Sequence, residues 1–247
     1  LADTYGFSGT WSALGLVWLV CPAAGLFVRD IQAPPVTLGP QIPAARSAWT
    51  TAFLILLACG TLGASGTFIG SYGRSLVMGA SFSNEAITST VAVSGLVTLP
   101  FPILLGYLSD RFGRLRFLAL CYAAGVAGLL VYSAAGTLWE FWAASALVAF
   151  VSYVSTGVGS ALVVDLVDRG SLGRGLALFG ATGWIGGILG FAGGGYLFAG
   201  LGYAQTFRVG AGLLLATLVL LAPIAMAIGA RRGANLPGAG GSLPRKE

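Results

Sequence analysis

The residues able to do chemistry are few, and they cluster. The chain of 247 residues has no histidine, 3 cysteines and only 8 Asp or Glu. Without histidine there is no Ser-His-Asp or Cys-His arrangement, and the cysteines have no metal-ligand spacing. Cys21, Cys59 and Cys121 each lie inside an apolar block, where a thiol reads as a small buried hydrophobe. The densest charge cluster is the run Gly106-Tyr107-Leu108-Ser109-Asp110-Arg111-Phe112-Gly113-Arg114-Leu115-Arg116. Gly106 and Gly113 permit a tight turn and close helix approach. Asp110 is an anion at a helix end, able to accept backbone N–H groups or to pair with a nearby arginine. A second charged stretch holds Asp165, Asp168, Arg169 and Arg174. It is the nearest source of partners for the first, and sequence does not choose among the four. Such chemistry is electrostatic and conformational; no catalytic residue, metal or cofactor is expected.

The elements that must position these charges are membrane helices. Hydrophobic residues make up 56% of the chain and charged residues 9%, against roughly 25% charged in a soluble domain. The apolar excess falls into blocks long enough to cross a bilayer, which takes about 20 residues. Seven are expected, at roughly 9–28, 50–72, 86–108, 116–136, 139–163, 175–199 and 206–229, each too long for a membrane strand. The fold class is therefore an all-α integral membrane protein with about seven transmembrane helices. The net charge of +5 does not indicate nucleic acid, because the cations form no basic run with aromatics between; the lipid bilayer is the expected partner.

Charge sets the orientation. Arg29, Arg46, Arg111, Arg114, Arg116, Arg169, Arg174, Arg231, Arg232, Arg245 and Lys246 lie in alternate breaks, 11 of the 13 cations, and only Arg74 and Arg208 lie opposite. By the positive-inside rule the first set is cytoplasmic, and so is the C-terminus. Pro34, Pro35, Pro40 and Pro43 mark residues 29–49 as an extended cytoplasmic linker. The expected organisation is a single helix in 1–28, that linker, a six-helix domain in 50–230, and a Gly- and Pro-rich disordered tail in 231–247. The chain starts at Leu1 without a signal-peptide pattern, and it reads as a fragment cut from a longer protein.

The run at 106–116 resembles the G-x-L-a-D-r-x-G-r-[RK] signature of the major facilitator superfamily. In that family the signature joins the second and third helices of each six-helix half on the cytoplasmic side, which is its place here. Arg174-Gly175-Leu176-Ala177, the glycine-rich run after it, Gly195-Tyr196-Leu197, Gly202-Tyr203 and Phe207 are similar to the family's penultimate pair of helices. The resemblance implies that 50–230 forms one major-facilitator-type six-helix bundle, the C-terminal half of a secondary active transporter in a plasma (inner) membrane. It further implies alternating access, a small-molecule substrate with or without a coupling proton or ion, and an N-terminal half that this chain lacks. The matching Asp and Arg positions hold the two halves closed, so Gly106, Asp110, Arg111, Gly113 and Arg114 are expected to form a cytoplasmic gating latch. A solvated loop of mixed charge is the alternative.

Small and polar residues supply the remaining candidates. Gly183/Gly187, Gly186/Gly190 and Gly190/Gly194 are small residues four apart, the spacing that lets helix backbones approach; no strand precedes them to make a nucleotide loop. Thr61 and Ser65, then Thr90, Ser94 and Thr98, then Ser152, Tyr153, Thr156 and Ser160 are candidates to line a cavity, or to make hydrogen bonds between helices. The block at 206–229 has almost no polar residue and is expected to face lipid. The family places its third and sixth helices at the periphery, which suits that block better than 116–136, with its Tyr122 and Tyr132. No charged residue sits at the centre of a block, so no proton relay or counter-ion is expected there. A seven-helix receptor is the rival reading, but a retinal-type lysine is missing from every block and the 106–116 signature has no role in it. A membrane-embedded enzyme lacks histidine and clustered carboxylates.

Overall fold

The computed structural model describes residues 50–234 and, ahead of them, Ser12 and Leu16. The expected linker at 29–49, the rest of the expected helix at 9–28 and the tail beyond 234 lie outside the described residues.

The described chain is a bundle of seven helices, without strands: α1 (Thr51–Gly79), α2 (Asn84–Thr98), α3 (Phe101–Phe112), α4 (Arg114–Ala134), α5 (Leu138–Leu166), α6 (Leu172–Leu201) and α7 (Tyr203–Ala234). Five of them, α1, α4, α5, α6 and α7, are long and apolar enough to cross a membrane. The sixth expected crossing, 86–108, is broken into α2 and α3. Pro100 and Pro102 are the physical reason: each lacks an N–H, so the carbonyls of Leu96 and Thr98 lose their i+4 donors. The last turn of α2 closes with Leu99 N–H on the Gly95 carbonyl at 3.0 Å. The Thr98 hydroxyl donates to the Ser94 and Gly95 carbonyls at 2.8 and 3.0 Å.

Local signals set the other ends. Thr50 caps α1 by accepting from Phe53 N–H at 3.3 Å, and Ser83 caps α2 by accepting from Ala86 N–H at 3.3 Å. The α3–α4 junction is Gly113 alone, at φ 87°, a left-handed conformation that a side chain would strain. Glu140 reaches back from the first turn of α5 to accept from the N–H groups of Gly136 and Thr137 at 2.8 and 2.9 Å. Two ends differ from expectation. α1 runs past 72 to Gly79 and so carries Arg74 within the helix rather than in a loop. α7 continues to Ala234, so residues 231–234, expected as the start of a disordered tail, are helical.

α1 is the hub, packing on α6, α7 and α5, while α4 packs on α5 and α7, and α2 on α5. Phe53, Leu56, Leu129, Val151, Phe207 and Leu214 are among the fully buried side chains. The expectation that the last block faces lipid needs correction. One face of α7, carrying Phe207, Ala211, Leu214, Thr217, Leu221 and Ile224, is buried in the core, and only the opposite side, with Leu215 and Val219, is exposed. Tyr122 and Tyr132 of α4 are buried too, so α4 likewise gives its aromatic face to the core.

Candidate functional site

The motif turn lies where α3 ends and α4 begins, beside the last turn of α5. Arg114 is the first residue of α4 and Asp165 the penultimate residue of α5. Arg114 Nη1 donates to Asp165 Oδ2 at 2.9 Å and Oδ1 at 3.0 Å, and also to the Ala161 carbonyl at 3.2 Å. The pair is roughly 35% and 43% exposed. Its geometry clips the Gly113 turn onto α5 within the bundle. Arg111 Nη1 instead donates to the Tyr107 hydroxyl one turn back on α3, at 3.0 Å. Asp168 and Arg174 are exposed and form no ion pair among the described residues. Of the four proposed partners, then, geometry brings Asp165 to the motif. The surroundings of Gly106 and the side chains of Asp110 and Arg169 lie outside what the structure describes.

A second feature is the seam between α1 and α6. A Cβ added at Gly186 would meet the Thr61 carbonyl and lie 2.6 Å from the Ala64 Cβ; one at Gly190 would lie 2.7 Å from the Ser65 carbonyl. At Gly187 the Phe68 ring is 3.1 Å away, and at Gly194 the nearest atom is Ile69 Cγ1 at 3.4 Å. The reciprocal residue on α1 is Gly60, which lies against the Thr182 hydroxyl. Gly183 does not belong here: nothing lies within 4 Å of its added Cβ. Three positions before Gly186, it turns off the seam.

The polar stripes divide. Ser65, Thr90 and Thr98 are buried within the bundle. Each returns its hydroxyl hydrogen to its own helix: Ser65 to Thr61, Thr90 to Ile87, Thr98 to Ser94. Thr61 and Ser94 are half-buried and donate to the Leu57 and Thr90 carbonyls. On α5, Ser152, Tyr153 and Thr156 are exposed and Ser160 is half-buried. The α5 set therefore lies on an open face, whereas Ser65, Thr90 and Thr98 are closed into helix packing.

Sequence reasoning missed Arg74. It sits near the end of α1 opposite the Arg114 pair, half-buried, its Nε without a hydrogen-bond partner among the described residues. The available signal was its isolation as one of two cations on that side; ending the helix at 72 hid it.

Searches against curated proteins and solved structures gave no match. The family model described as Major Facilitator Superfamily matches residues 51–244, a span that takes in all seven helices and the 106–116 motif. With a helical membrane bundle, the motif at the α3–α4 turn and that match over most of its length, the chain belongs to the Major Facilitator Superfamily, a family of membrane transporters.

Proposed function

We propose that the six-span bundle is one half of a secondary active transporter that moves a small solute by alternating access against a second six-helix half. The observation that carries this reading is the family match across the bundle, with the charged motif turn held by Arg114 on Asp165. In this mechanism Gly113 provides the bend, and the Arg114–Asp165 pair keeps the turn fixed to α5. Asp110 and Arg111, next to that turn, act as the latch that closes the cytoplasmic side in one state and releases it in the other. The exposed α5 face at Ser152, Tyr153 and Thr156 contributes to the solute path. The membrane is a plasma membrane, the C-terminus lies in the cytoplasm, and a proton or ion gradient drives the cycle. Neither a catalytic step nor a cofactor enters.

Uptake of a radiolabelled panel of sugars, amino acids, organic acids and cationic drugs into cells producing the chain joined to an N-terminal six-helix half tests this reading. The expected result is at least one solute accumulated above empty-vector cells, collapsing with the proton or sodium gradient and reduced by Asp110→Asn. Absence of any protein-dependent flux, with the protein present in the membrane, would contradict it.

A further inference from the structure

At the end of the bundle opposite Arg114, three helices bring polar groups together around one guanidinium. Arg74 of α1 lies close enough to Tyr132 of α4 for its charge to act on the hydroxyl. That hydroxyl is 2.6 Å from the Ser145 Oγ of α5. Aromatic rings wall the place: Tyr132 stacks on Phe207 with centroids 5.3 Å apart and lies 5.9 Å from Phe141. The Arg74 Nε is buried and unpartnered among the described residues.

Among the described residues no acidic side chain pairs with this charge. Glu85 is exposed in the first turn of α2, and the Glu140 carboxylate is occupied by Gly136 and Thr137. Among the described residues the ion pair is Arg114 with Asp165, at the other end. Arginine cannot shed its proton in a protein, so the site keeps a cation that burial disfavours. Ionisable groups kept within membrane helices mark ligand or ion paths. The guanidinium edge made by Nε–H and one Nη–H is the face that grips two oxygens of a carboxylate or phosphate, and here the Nε half of that edge is unused. The Tyr132 and Ser145 hydroxyls, bonded to each other, leave one O–H hydrogen to donate there.

We propose that Arg74, Tyr132 and Ser145 form an oxyanion-binding site, taking a carboxylate or phosphate group carried by a small solute or by a lipid headgroup. The site stands on this geometry whether or not the chain transports, so its test uses binding rather than flux.

The purified full chain in neutral detergent is treated with phenylglyoxal, and modification of Arg74 is followed by peptide mass spectrometry. Sodium phosphate and sodium acetate are each compared with sodium chloride at equal ionic strength. One of the two oxyanions should slow Arg74 modification about tenfold once its concentration is roughly ten times the half-protecting value. The exposed Arg208 should react at one rate throughout. Tyr132→Phe and Ser145→Ala should each weaken the protection several-fold. Phosphate-free glycolipid nanodiscs and phosphatidylcholine nanodiscs separate the sources. Protection by phosphatidylcholine alone assigns the site to a headgroup; protection only by added oxyanion assigns it to a solute. Equal Arg74 rates under all conditions would overturn the proposal. So would an Arg74 unreactive even in chloride, which would mean a closed guanidinium. Protection untouched by both hydroxyl variants would overturn the three-residue site.

Discussion

Arg114 and Asp165 form a close pair that contributes little to stability. A charge-assisted contact near 3 Å is strong in isolation, but both partners are more than a third exposed, and exposed pairs typically contribute about 0–1 kcal/mol. A pair so placed is better suited to choosing between states than to holding a fold. Arg114→Gln and Asp165→Asn are therefore expected to lower unfolding stability by less than about 1 kcal/mol. Transport should fall far more, by roughly five- to 150-fold, if the contact differs between states by about 1–3 kcal/mol. Solute flux at equal membrane abundance, measured beside thermal melts, separates the two effects. The swap Arg114→Asp with Asp165→Arg should recover part of the flux. Loss of stability in step with flux would show that the pair holds the fold as a whole and not the motif turn. The motif was legible in sequence because its residue types and spacing are unusual. Its partner was not, because choosing Asp165 over Asp168 requires knowing that α5 ends at Leu166, which apolar patterning cannot locate.

At the scale of elements, glycines on one helix behave differently according to the face they occupy. Gly186 and Gly190 sit where α1 backbone atoms leave no room for a Cβ, while Gly183 faces open space. Gly190→Leu should destabilise the bundle by at least the 1–3 kcal/mol typical of overpacking, as Gly186→Leu should, because backbone atoms cannot swing aside as a side chain can. Gly183→Leu should melt within about 0.5 kcal/mol of the parent. Thermal unfolding in one detergent checks all three, and an equal effect at Gly183 and Gly190 would refute the seam. Five of the seven expected helices appear as single long helices where blocks of apolar residues lie, because the bilayer demands such lengths. Three details escaped that reading for physical reasons. Pro100 and Pro102 act as a pair and break what a single proline would only kink. Arg74 lies inside α1 near Tyr132, a neighbour that sequence distance hides. α7 buries one face although its composition is uniformly apolar, so no stripe announced which side meets α1 and α4.

For the whole molecule, the central claim is that this bundle lines a path opened alternately to the two sides of a membrane. The exposed face of α5 is where that claim is most accessible, since an outward-facing residue on a half-bundle contacts either lipid or the solute path. Tyr153 is 52% exposed, with Ser152 and Thr156 beside it. The measurement is the labelling rate of Tyr153→Cys by a membrane-impermeant maleimide, in a background where Cys21, Cys59 and Cys121 are replaced by Ser. Right-side-out and inverted vesicles give access from each side in turn. Labelling from both sides is expected, with Arg114→Gln raising the rate from one side and lowering it from the other. Labelling from neither side would place this face against lipid, and labelling from one side only, unchanged by Arg114→Gln, would contradict alternating access.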